Sequence, residues 1–304
     1  MKHSAIITYI LVVMFLIAQI IGLAVIAAYS PVIEEVQDEN GTILNVTHYN
    51  MPYGTNPPQD TNEKYTLISI ITAFIIALAL MVLLMSLRAE TFLRIWFFVV
   101  VVLAIGITIN AAIQSIPYSS FIALLISLPL AYLKIFKRHI VVHNFTELLI
   151  YPGIASIFVP LLNIWTTLIL LVIISLYDIY AVWHTGFMQK MARYQIKKLR
   201  VFSGLFIPYI HNKIKLIRSK SNASKKSIKV NVAILGGGDI VFPIIVAGVV
   251  LRQFGLVPAI IVSLGATIAL SILFYFSEKG KFYPAMPFIS AGCFAAIGLI
   301  YIIY

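Results

Sequence analysis

A chain of 304 residues that is 61% hydrophobic and 11% charged, with a mean hydropathy of +0.99, lacks the polar surface of a soluble domain. Soluble proteins carry about 25% charged residues, so long apolar runs facing lipid are expected instead. The formal charge of +11 does not imply nucleic acid, because the basic residues lie between apolar runs rather than on a separate domain. One cysteine, Cys293, excludes an internal disulfide and a multi-cysteine metal site.

A helix needs roughly 20 apolar residues to cross the hydrocarbon core. Nine runs meet that requirement: 4–28, 66–87, 92–113, 117–136, 145–161, 163–186, 230–251, 254–276 and 283–304. The expected fold is an all-α, multi-pass integral membrane protein. The first run is longer than a signal-peptide core and is read as a retained helix, with a signal peptide as the alternative. The polar segment 29–65 is expected to be a loop, and it holds two weak glycosylation patterns, Asn40-Gly-Thr42 and Asn45-Val-Thr47. Pro152 and Pro160 predict a kinked or tilted fifth helix. Residues 187–229 form a second, basic loop. Within it, 196–217 mixes Lys197, Lys198, Arg200, Lys213 and Lys215 with Leu199, Phe202, Phe206, Ile210 and Ile214. That pattern suits a helix lying on anionic lipid, and a solvated linker fits it equally well. The chain 1–304 thus reads as one membrane domain: six helices in 1–186, the basic loop 187–229, and three helices in 230–304.

Lysine and arginine set the orientation. With the N-terminus cytoplasmic, Lys2, the 88–94 and 134–138 segments, the 187–229 loop and the 279–281 turn all lie inside. Those places hold 20 of the 22 basic residues, leaving Lys64 and Arg252 outside. The C-terminus is then external.

Within the nine spans two acids are expected to be well buried, Asp178 in the sixth and Asp239 in the seventh. A charge at membrane depth costs several kcal/mol, so such acids mark function. Asp178 precedes the inner end of its span by about eight residues, and Asp239 follows its own by about nine. Both then lie about 12–14 Å from the cytoplasmic boundary. Two carboxyls that meet in a low dielectric share a proton, one serving as base toward water and the other as acid toward a carbonyl. Three glycines, Gly236, Gly237 and Gly238, weaken the helix before Asp239 and let another backbone approach. Pro243 lacks the N–H that would bond the Asp239 carbonyl. Tyr283-Pro-Ala-Met-Pro287 opens the ninth span with irregular backbone able to reach the aspartates or an extended peptide.

These motifs together resemble the presenilin and signal peptide peptidase family of intramembrane aspartyl proteases, in the manner of an archaeal-type homologue. In that family a Tyr-Asp pair on the sixth helix and Gly-x-Gly-Asp on the seventh supply the catalytic acids. Tyr177-Asp178 and Gly236-Gly237-Gly238-Asp239 match them here. The family's Pro-Ala-Leu near the active site is matched by Pro284-Ala285-Met286, with Met286 in place of leucine. The resemblance implies peptide-bond hydrolysis within transmembrane helices, by Asp178, Asp239 and water, with no metal or other cofactor. The basic 187–229 loop gives the presenilin-like orientation, whose substrates are single-span helices with external N-termini.

The strongest alternative from another class is a transporter that uses the paired acids for H⁺ or Na⁺. It is disfavoured by the lack of a convincing internal repeat and by the single intramembrane basic candidate, at a span edge. His139 and His143 have metal-pair spacing but lack the intervening glutamate of a metalloprotease.

Overall fold

The computed structural model describes residues 5–37, 43–57, 63–87, 89–137, 139–185, 203–209, 231–277 and 283–303. Among these, nine helices are long and apolar enough to cross a membrane. They are α1 (Ala5–Ala28), α2 (Glu63–Ser86), α3 (Glu90–Ile113), α4 (Ser119–Phe136), α5 (Ile140–Phe158), α6 (Ile164–Tyr180), α7 (Gly237–Phe254), α8 (Leu256–Phe276) and α9 (Met286–Ile303). Large apolar side chains such as Ile75, Trp96, Phe121, Trp165 and Ile302 project outward from the bundle. Scattered so widely, they match a lipid-facing surface rather than one docking patch.

Small residues set how closely the helices pack, as expected where lipid removes the hydrophobic drive between them. A Cβ on Gly153 of α5 would overlap the Ala104 carbonyl of α3. A Cβ on Gly265 of α8 would come within 2.8 Å of the Gly292 carbonyl oxygen of α9. Gly22 of α1 faces Ile244 of α7, and Gly248 of α7 faces Ile26 and Val159. The first helix is part of the core: Leu11, Phe15, Ala18 and Gln19 are all buried. Asn163 caps α6, accepting from the Thr166 N–H at 2.8 Å while its own N–H donates to Thr166 Oγ1 at 2.9 Å. That satisfies two of the backbone donors a helix start leaves open.

Several expectations are corrected. The segment 29–65 contains an antiparallel hairpin, β1 (Val32–Gln37) with β2 (Ile43–His48), followed by a helical turn, Pro52–Gly54. Asn45 and Thr47 lie on β2, whereas the Asn40 pattern falls on residues outside those described. The fifth helix begins at Ile140 and carries Pro152 inside it. A second hairpin pairs β3 (Gly204–Tyr209) with β4 (Asn231–Gly236). Residues 204–209, for which a surface helix and a solvated linker are expected equally, are strand instead; Pro208 denies a helix its hydrogen bond there. Ser203 is also described, and 196–202 and 210–217 lie outside the described residues. The seventh span, predicted from residue 230, runs as β4 to Gly236 and becomes helix only at Gly237, because pairing with β3 holds 231–236 extended.

The register of the second hairpin shows which backbone groups point outward. Asn144 of α5 brackets Phe206, accepting from its N–H at 2.9 Å and donating to its carbonyl at 2.7 Å. His143 Nε2 reaches the Gly204 carbonyl at 2.8 Å. Gly204, Phe206 and Pro208 thus face away from β4, toward α5. Antiparallel alternation then turns Gly236, Ile234 and Val232, their partners, toward the opposite edge of β4.

Candidate active site

Asp178 lies in the last turn of α6, two residues before Tyr180, and is 6% exposed. Its Oδ2 accepts the Met286 N–H at 3.1 Å, and the Ala285 N–H also bonds the carboxylate. One turn earlier on α6, Ser175 Oγ donates to Ser290 Oγ of α9 at 2.9 Å. Two polar contacts therefore fix the start of α9 along the end of α6. The irregular backbone of Pro284 and Ala285 keeps these amides out of helical hydrogen bonds, which leaves them for the carboxylate.

Asp239 occupies the first turn of α7 and is partly exposed. Its carboxylate accepts a backbone hydrogen bond from Gly236 and lies within electrostatic range of Asp178. The glycines before it differ in purpose. A Cβ on Gly236 would come within 3.1 Å of Asp239 Oδ2. One on Gly237 would come within 2.6 Å of Ser203 Oγ and 3.0 Å of Tyr151 Cε1. Gly238 is exposed, and a Cβ there would meet only Phe242 at 3.7 Å, an ordinary contact. Pro243 is buried inside α7, and Gln19 Nε2 of α1 donates to the Ile240 carbonyl at 3.2 Å. The backbone beside Asp239 is thus braced from a different helix, one carbonyl beyond the one that Pro243 leaves without a helical donor.

The structure brings together Asp178, Asp239, Gly236, Ala285 and Met286. Tyr177, expected beside the pair, sends its ring edge-on to Phe74 of α2, with centroids 6.1 Å apart, and remains within electrostatic range of Asp178. Tyr180 and His184 stack on each other at 5.5 Å.

The expectation of two buried acids is overturned. Glu147 of α5 is fully buried and forms an ion pair with Lys134 of α4, itself buried. Lys134, within the expected fourth span 117–136, lies in the last turn of α4. His143 Nε2 lies 3.5 Å from the same carboxylate, so this histidine serves the polar cluster rather than a metal pair. The sequence carried a signal: His143, Glu147 and Tyr151 are spaced by four and share one helix face.

The family of signal-peptide peptidase and presenilin aspartyl proteases matches residues 42–303. The chain therefore belongs to that family: it is a multi-pass intramembrane aspartyl protease of the presenilin class. It is similar to two solved structures of a presenilin family intramembrane aspartate protease, one in space group C222 and one in P2. For the first, the TM-score is 0.58 at 18% identity, covering 95% of this chain and 94% of the other. For the second, it is 0.60 at 18% identity, covering 96% of each. No curated protein sequence matches the chain.

Proposed function

We propose that Asp178 and Asp239 are this protease's catalytic pair, hydrolysing peptide bonds within the spans of membrane proteins. The observation that carries the reading is the hydrogen bond from Met286 to Asp178. It joins the motif opening α9 to the acid ending α6, while Asp239 enters from the start of α7 within electrostatic range. Backbone donors hold both carboxyls, and such donors neither titrate nor rotate away.

The chemistry follows from one ionised and one protonated carboxyl. The carboxylate takes a proton from water as the water oxygen bonds to the scissile carbonyl carbon. The acid gives its proton to the carbonyl oxygen, forming a tetrahedral diol. Collapse breaks the C–N bond: the carboxyl that took the water proton gives it to the leaving nitrogen, while the other carboxylate takes a proton from a diol hydroxyl as the product carboxyl forms, so the original protonation returns. In this reading Tyr177 and the three glycines support the pair, and Pro284, Ala285 and Met286 line the substrate side.

The scissile segment must be extended, since helical carbonyls are already bonded and shielded. Strand β4 runs directly into Asp239, and α5 occupies the outer edge of β3. The outward N–H and carbonyl of Ile234 on β4 are placed to pair with an added strand. Ile234→Pro removes that N–H and is expected to lower cleavage of a single-span substrate by about 10-fold, roughly one hydrogen bond's worth. Unchanged kcat/KM would remove β4 from substrate presentation.

The basic residues support a cytoplasmic N-terminus and a cytoplasmic 187–229 segment. The division into six helices, basic segment and three helices around one site follows from the same reading. A reporter span with its N-terminus outside should be cut in reconstituted vesicles, and the same span inserted the other way should not. Preferential cleavage of the reversed reporter would overturn the orientation.

A further inference from the structure

A buried cluster of charged and polar groups that includes neither aspartate lies around Glu147 of α5. The Glu147 carboxylate holds Lys134 as its ion pair, with His143 Nε2 at 3.5 Å and Ser203 Oγ donating at 3.4 Å. One turn further along α5, Tyr151 is fully buried. Its hydroxyl interacts with the Glu147 carboxylate and with Ser203, which gives this buried donor its polar partners. Its ring underlies Gly237, where a Cβ would come within 3.0 Å of Cε1. The hydroxyl lies within electrostatic range of Glu147 and of Asp239.

We propose that Tyr151 is a positioning residue for Asp239, braced from behind by the buried Glu147–Lys134 ion pair. The inference rests on the reading of Asp239 as half of the catalytic pair. A phenol has two side-chain torsions, and contact with Gly237 on one side and Ser203 near by restricts both. The ring thereby sets the height of the turn that carries Asp239, and the hydroxyl ties that ring to the Glu147 and Ser203 side of the brace. Ser203, at the head of β3, extends the same brace to the hairpin; its carbonyl accepts the Gly237 N–H at 3.4 Å. Among the described residues, these groups act on Asp239 from its neighbours. Helix α6 presents Asp178, and α5 presents Tyr151 with Glu147 behind it. Lys134 of α4 and His143 of α5 act through Glu147, while α1 presents the neutral Gln19.

The test is steady-state cleavage of a single-span reporter by the full chain across a pH series. Tyr151→Phe keeps the ring and removes only the hydroxyl. It is expected to lower kcat by about 10-fold, the worth of roughly one hydrogen bond, with KM nearly unchanged and the pH–rate profile displaced. A second variant, Glu147→Gln combined with Lys134→Met, removes the bracing charges without stranding either one, and its profile should be displaced as well. A Tyr151→Phe enzyme with wild-type kcat and profile overturns the proposal. So does an equal loss in kcat/KM through KM alone, which marks a packing role. An unmoved profile in the double variant removes Glu147 and Lys134 from the brace. If Asp239→Asn still cleaves, the catalytic pair itself is wrong and the inference falls with it, a result separable from the others.

Discussion

Asp178→Asn and Asp239→Asn are each expected to lower cleavage of a membrane-span reporter by at least about 1,000-fold, while the chain remains folded. General acid and general base catalysis each contribute about 10²–10⁴-fold, and an amide supplies neither. The two carboxyls act as one unit, so the double variant should be about as inactive as either single one. Structure argues against collapse as the cause. An asparagine oxygen at 178 still accepts the Met286 and Ala285 N–H groups. It also replaces an ionisable group with a neutral one of the same shape, which lowers the cost of burial. Thermal unfolding in detergent should therefore leave both variants at or above the wild-type midpoint. Substantial activity in either single variant would mean that the pair is not catalytic.

The second large effect concerns stability. Glu147→Ala leaves Lys134 charged and buried without its partner, and breaking a buried ion pair costs about 3–5 kcal/mol. Replacing both partners, Lys134→Met with Glu147→Leu, should recover most of that loss, because apolar groups of similar volume carry no desolvation penalty. Equilibrium unfolding of the four proteins in mild detergent measures the cycle directly. A Glu147→Ala protein as stable as the wild type would mean that Lys134 reaches water at the helix end and that the pair contributes little.

Apolar run length made the nine helices legible, since the bilayer imposes that length on each. The aspartates were legible because a carboxyl in an apolar run has so few bland explanations. Glu147 escaped because its span was begun at residue 145, which put the acid at an apparent membrane edge. The helix in fact starts at Ile140, and the matching charge comes from Lys134 on another helix. Charge pairing between helices depends on which faces meet, and no local pattern records that. The second hairpin was missed for a related reason. The run after residue 230 is apolar enough for a helix, and its strand form depends on pairing with β3 across intervening chain. Gly236 to Gly238 marked the change of structure without revealing its kind. Asp239 lies at a strand-to-helix junction rather than nine residues inside a helix that starts at 230. Of the three glycines, Gly236 and Gly237 have steric reasons visible in the structure, and Gly238 has none.

The most direct test of the central claim is the mass of the products formed by purified protein from a single-span substrate in vesicles. The account predicts fragments whose new ends lie within the span, formed by the wild type and lost in both Asp178→Asn and Asp239→Asn. Fragments ending only in the loops outside the span, or unchanged fragments from either variant, would contradict it.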